Sequence, residues 1–177
     1  MSTALLFGTT ACSNSDEQST DKPADSATPA SSTPSDKPSD TPLADLPAAQ
    51  VVSGLSGAGY KCSNDGTYAI CTTGPVAVWV LTGDHNRPPQ VSLHSSGPAE
   101  TATDAVAKIL PQALEIAHIN PRTQIVDWFG QQAGQPTAQL SAGDWQVSWT
   151  VESADSEEPG VHLTLSDKLC KANCQAE

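Results

Sequence analysis

Four histidines and five cysteines are the residues of this chain with the most chemistry to offer. His94 ends Gln90-Val91-Ser92-Leu93-His94, and His162 opens His162-Leu163-Thr164-Leu165. Both runs alternate apolar with polar, so both imidazoles belong to the polar faces of strands and can be neighbours in one sheet. Two imidazoles with a carboxylate can hold a transition metal, and an imidazole beside a hydroxyl can act as a general base. Leu93-His94-Ser95-Ser96-Gly97 sets serines next to a histidine, but successive strand residues point to opposite faces. There is no G-x-S-x-G elbow, so a Ser–His–Asp site would have to assemble from distant parts. Solvated histidines are the simpler expectation for His94 and His162, and no metal or other cofactor is implied. His85 falls in a turn, and His118 lies near a helix end, where exposed carbonyls attract it. Glu152, Asp155, Glu157 and Glu158 cluster without the D-x-D-x-D-G spacing of a calcium loop, which makes them a solvated acidic tip. Gly54-Leu55-Ser56-Gly57-Ala58-Gly59 leads from helix into strand, opposite to a phosphate loop, and reads as a fraying helix end.

The cysteines divide into Cys12 and a later group of Cys62, Cys71, Cys170 and Cys174. Four cysteines allow three connectivities. The local pairs Cys62–Cys71 and Cys170–Cys174 are favoured, the first across a hairpin whose register needs a bulge or longer loop. A four-cysteine zinc site is the rival, but neither spacing is C-x₂-C.

These side chains need elements to hold them. Pro47 to Leu55 reads as a helix with Gly59 as its stop. Tyr60–Ser63 and Thr67–Thr73 flank the hairpin signal Asn64-Asp65-Gly66. Val76–Leu81, apolar on both faces, is a central strand, and Gln90–His94 follows a proline-rich turn. Between Pro98 and Gln132, Val106, Ile109, Leu110, Ala113, Leu114 and Ala117 recur at helical spacing, with Pro111 expected to kink or split the helix. Asn120-Pro121 starts a second helix carrying Ile125, Val126, Trp128 and Phe129. Thr137–Ser141 is a weaker strand. Trp145–Glu152 and Val161–Ser166 alternate strictly and are joined by the acidic loop. Trp145 and Trp149 share an apolar strand face and belong to the core, while Trp79 and Trp128 are expected to cover one another. No tryptophan is placed on an exposed face, as a carbohydrate platform would require. The order predicts an α+β fold, an antiparallel sheet with helices on one face, an N-terminal helix and two disulfides.

Composition sets the surroundings. Asp and Glu number 20 against 8 Lys and Arg, for a net charge of −12. Such a balance repels phosphate backbones, which argues against a nucleic-acid partner. Thr9-Thr10-Ala11-Cys12, after the apolar Ala4-Leu5-Leu6-Phe7, resembles the lipobox of bacterial lipoproteins. The resemblance covers about the first 20 residues. It implies that residues 1–11 are part of a signal peptide and that Cys12 carries lipid, which would anchor the exported chain to the outer face of the cytoplasmic membrane. An incidental cysteine in a short apolar N-terminus is the alternative. An odd cysteine count leaves Cys12 without a partner in either local pair, which agrees with lipidation. Two acyl chains suffice for stable anchoring where one is marginal.

Residues 13–43 are built almost wholly from Ser, Thr, Pro, Asp, Ala and Lys, and Leu43 is their single large apolar residue. Such a segment cannot bury enough surface to offset its ordering entropy. As a tether it would reach from ~30 Å as a coil to ~95 Å extended. A single domain then occupies 44–177. With no catalytic constellation selected, the sequence points to a non-enzymatic envelope domain that binds a protein or wall component. Its candidate surface is the polar strand face of Ser92, His94, Gln146, Ser148, Thr150, His162 and Thr164. The alternative is a small exported hydrolase with His94 or His162 as base, which a deep pocket gathering those histidines with Ser or Asp would favour.

Overall fold

In a computed structural model, the described residues are 40, 43–152 and 159–175. They all fall within the unit Asp36–Glu177. The signal-like residues 1–11, Cys12, most of the 13–43 segment and the acidic tip at 153–158 lie outside them.

The fold is α+β: helix α1 (Ala48–Gly57), strands β1 (Lys61–Asn64), β2 (Tyr68–Thr73), β3 (Val76–Leu81) and β4 (Gln90–Ser96), helices α2 (Ala99–Ile116) and α3 (Arg122–Phe129), and strands β5 (Thr137–Ala142), β6 (Trp145–Glu152) and β7 (Gly160–Asp167). All strands join one antiparallel seven-stranded sheet in the order β1-β2-β3-β4-β7-β6-β5. The first four strands form a meander. The chain then crosses through α2 and α3 and returns as a second meander that runs inward, so that its last strand, β7, pairs with β4.

Helical periodicity explains the layer above the sheet. Val51 and Leu55 of α1, Val106, Leu110, Ala113 and Leu114 of α2, and Ile125 and Phe129 of α3 each fall on one stripe and are buried. They share a core with Val78, Val80, Val91, Leu93, Val147, Trp149, Leu163 and Leu165, the alternate residues of the strands. Phe129 meets Trp149 edge-on with ring centroids 5.0 Å apart, and the Trp149 indole N–H donates to the Gln135 carbonyl at 3.1 Å.

Several expectations are refined or corrected. Of the kink or split expected at Pro111, the split does not occur: α2 is one helix from Ala99 to Ile116. The missing backbone donor costs one helical bond, but Leu110 and Leu114 on either side are buried and hold the helix in place. The glycine-rich run is the end of a helix leading into a strand, as expected: α1 continues to Gly57 and β1 starts at Lys61. A Cβ on Gly54 would lie 2.8 Å from Ile116 Cγ2, so the absent side chain lets α1 approach α2. Of the two routes expected for the Cys62–Cys71 register, the longer loop is the one taken: Cys62 lies directly opposite Cys71 in a regular ladder that closes through residues 65–68, without a bulge. The turn between them is fixed by side chains: Asn64 Oδ1 accepts from Gly66 N–H at 2.7 Å, and Asp65 Oδ1 accepts from Tyr68 N–H at 2.7 Å. Both local disulfides are present, with S–S distances of 2.08 Å for Cys62–Cys71 and 2.12 Å for Cys170–Cys174. Trp79 and Trp128 do not cover one another. Trp128 packs against the core beneath the helices, while the register turns Trp79 to the other face, where it meets Tyr68 edge-on at 5.7 Å. Among the described residues, no helix is long and apolar enough to cross a membrane.

Candidate functional site: the uncovered sheet face

The strand residues that do not enter the core point away from all three helices, and no described element covers them. Register determines how they line up. One row crosses all seven strands as Ser63, Ile70, Trp79, Ser92, Thr164, Ser148 and Gln139. A second runs Thr72, Ala77, His94, His162, Thr150 and Thr137. A third includes Gln90, Ser166, Gln146 and Ser141. All seven sequence-derived candidates, Ser92, His94, Gln146, Ser148, Thr150, His162 and Thr164, therefore lie on this face in adjacent positions of β4, β7 and β6. Each is partly buried by its neighbours.

His94 and His162 are direct cross-strand partners. Their rings stack, with centroids 4.1 Å apart and planes 23° from parallel. Ser95, next to His94 in sequence, points the other way: it is 1% exposed, and its hydroxyl is buried among core residues without a hydrogen-bond partner. The local His–Ser pair is thereby divided between the two faces of the sheet. Among the described residues, no group of three His, Cys, Asp or Glu side chains is gathered as a metal site.

The hydroxyls and amides on the face are connected. Gln90 Nε2 donates to the Tyr68 hydroxyl at 3.3 Å and to Ser92 Oγ at 3.2 Å, and Ser92 Oγ donates to Thr164 Oγ1 at 3.3 Å. These bonds are long; Tyr68 and Thr164 accept in them and keep their O–H donors, while Ser92, whose O–H is used, keeps acceptor capacity. Tyr68, Gln90 and Trp79 were missed as site residues. Gln90 is in phase with Ser92 and His94, a signal already present in the strand. Trp79 was hidden because β3 is apolar on both faces.

Around Arg87 lies a second polar cluster. Its guanidinium grips Asp167 through two parallel bonds, Nε to Oδ2 at 2.9 Å and Nη2 to Oδ1 at 2.5 Å. Nη1 lies 3.4 Å from Asp144 Oδ2 and 3.6 Å from Asp45 Oδ1. The guanidinium carbon sits 5.1 Å from the centroid of the Trp145 ring. Burial pushes the Asp167 carboxyl up, but the Arg87 bonds, the Leu169 backbone N–H, the Arg87 charge and His85 together hold it below the usual carboxylate range. Four chain segments meet at this arginine, which defines it as a clamp. His85 shares with it an open cavity of about 580 Å³ that the terminal Leu169–Asn173 segment also lines. The His118 ring meets not a carbonyl of the neighbouring helix end but that of Ala44, at 2.5 Å from Nδ1.

Two further cavities, of about 560 and 490 Å³, lie between α2 and the β5 end and between α1 and the first hairpin. None of the three is lined by His94 or His162. The fold and face define a half-covered α+β domain, helices on one side and an open polar sheet on the other. No protein-family model, curated protein or solved structure matches this chain.

Proposed function

We propose that this chain is a lipid-anchored, exported domain that acts by binding, and that the uncovered sheet face is its docking surface. The observation that carries the reading is the convergence of Ser92, His94, His162, Thr164, Ser148, Thr150 and Gln146 on one face that no described element covers. A seven-stranded sheet ordinarily buries or solvates its second face. Here Ser92 and Thr164 are joined to each other and, through Gln90, to Tyr68 of an aromatic pair.

The anchor follows from Thr9-Thr10-Ala11-Cys12 and the proline-rich segment behind it. Disulfides at Cys62–Cys71 and Cys170–Cys174 suit an oxidising compartment outside the cytoplasm. The partner is a component of the cell envelope, either protein or wall, and is not nucleic acid. No step of catalysis is assigned: the two histidines lie on an open surface, and the adjacent Ser95 faces the core.

The test has two arms. Replacing Cys12 with Ala should release the protein from the membrane fraction, and unchanged retention contradicts the anchor. In the second arm, the full chain is immobilised and challenged with envelope extract. Ser148→Glu with Thr164→Glu, which puts charge at the centre of the face, should abolish retention of whatever the wild-type chain holds. Lys108→Glu, on exposed α2, should not. Equal retention by both variants removes the face from the function.

A further inference from the structure

The open face is almost without charge, although the chain as a whole carries −12. Of the side chains its strands turn outward, Lys61 at the β1 edge and Glu152 at the end of β6 are the ones with formal charge. Lys168, beyond β7, reaches one corner by donating to Ser141 at 2.7 Å. Between them lie Ser, Thr, Gln, Gly160, the paired His and an aromatic and aliphatic patch of Tyr68, Ile70, Ala77, Trp79 and Leu81. The charged side chains thus lie at the edges of the face, and its middle, across β4, β7 and β6, carries no Asp, Glu, Lys or Arg.

We infer that the occupant of this face is a neutral glycan, with a sugar ring seated at Trp79 and Tyr68 and the chain running across β4, β7 and β6. This inference rests on the docking-surface reading above and names its ligand class. Three features select that chemistry. A neutral surface matches a neutral ligand, and a charged ligand lying across the middle of β4, β7 and β6 would find no Asp, Glu, Lys or Arg there to offset the cost of its desolvation. Sugar hydroxyls donate and accept, and so do Ser92, Thr164, Ser148 and Thr150, while Gln90 and Gln146 offer amides that do both. Aromatic rings beside such groups supply the apolar surface that the C–H faces of a sugar need, and Trp79 and Tyr68 stand at one end of the hydroxyl row.

A protein partner fits less well. Protein interfaces are enriched in aromatics, Met and Arg and depleted in Ser. Among the described residues the face carries aromatics only at Tyr68 and Trp79 and the paired histidines, with no Met or Arg, and Ser, Thr and Gln dominate β4, β7, β6 and β5. Its length also suits an oligomer. From Trp79 on β3 to Gln139 on β5 the row crosses four strand spacings, roughly 19 Å, enough for more than one ring. The hydrogen bonds already on the face, at 3.2 and 3.3 Å, are long enough to exchange for ligand bonds without breaking strong ones.

The experiment titrates full-length protein with a panel of soluble neutral oligosaccharides, followed by intrinsic tryptophan fluorescence and calorimetry. At least one member should bind saturably. Trp79→Ala should weaken it tenfold or more, as should Ser148→Glu, which lies on the face turned away from the core and keeps the test valid if Trp79→Ala fails to fold. Lys108→Glu should leave the affinity unchanged. Acidic oligosaccharides should bind no better than the neutral ones. If no glycan binds, the outcome of the envelope retention assay separates the two claims. Face-dependent capture of a protein overturns the glycan and leaves the docking surface standing. Face-dependent self-association in sedimentation assigns the face to a second copy and likewise overturns the glycan. Loss of neither activity on Ser148→Glu with Thr164→Glu overturns both.

Discussion

Removing Arg87 should be the most costly single change outside the apolar core. Its side chain is 14% exposed and that of Asp167 only 7%, so Arg87→Ala would leave a largely buried carboxylate without its partner. Breaking a fully buried pair in this way costs about 3–5 kcal/mol. The partial exposure of Arg87 lowers that to about 2–4 kcal/mol by the same reasoning. Asp45 and Asp144 are more than half exposed, so their shares are at most about 0.5 kcal/mol each. The contact with Trp145 adds about 0.5–1 kcal/mol. A loss of about 3 kcal/mol at pH 7 is expected on these grounds, measured by urea unfolding followed through tryptophan emission.

The pH dependence gives the sharper test. In the intact protein the Asp167 carboxyl titrates below its unfolded value. Its contribution is therefore present above pH ~4 and disappears as the pH falls through the lower folded value. Without Arg87, the burial that opposes ionisation is left largely unbalanced. The folded variant then holds the Asp167 proton to higher pH than the unfolded chain does, and it loses stability as the pH rises. The gap between the two proteins should widen from pH 3 to pH 7. A gap under about 1 kcal/mol at pH 7, or one equal at both pH values, would refute the clamp.

Three other outcomes are expected. Replacing Cys62 and Cys71 by Ser should cost about 2–3 kcal/mol, whereas the Cys170–Cys174 pair, at a terminal loop, should cost less when removed; equal losses in denaturant titrations would contradict the difference. Gly160→Ala should destabilise strongly, because its Cβ would meet the Ser95 carbonyl oxygen across the β4–β7 pairing and lie 3.0 Å from Ser96 Cα, and an unchanged melting temperature would show that the strands can part. Pro111→Ala should stabilise by about 1–3 kcal/mol by restoring a backbone donor inside α2, and a lower melting temperature would mean that the ring itself packs usefully.

Local pattern made much of this fold legible. The strict alternation in Trp145–Glu152 and in Val161–Ser166 set both strands and assigned Trp145 and Trp149 to the core, where they are 2% and 1% exposed. Val76–Leu81 has the same limits in the structure as in the sequence reading. Burial of one helix stripe depends on spacing alone, so α2 was readable, but the passage of Pro111 through it depends on tertiary packing around Leu110 and Leu114, which spacing does not encode. Strand order was not legible. The pairing of β4 with β7 is made after the chain has crossed through two helices, and no feature of either strand names the other. For the same reason the neighbourhood of His94 and His162 could be suggested from their polar faces but not fixed until register was known. Trp79 was misplaced because an all-apolar strand has no phase to read. Arg87 sits in an irregular loop, where periodicity is silent.

The central claim is that the open sheet face is where this protein meets its partner. It is tested most directly by placing a photo-reactive side chain at position 148, and separately at position 108, in the full-length protein in intact cells. Ser148 lies at the centre of the face and Lys108 on the exposed side of α2. The account predicts a discrete adduct with an envelope component from position 148 and none from position 108. Adducts from position 108 alone, or the same adducts from both, would contradict it.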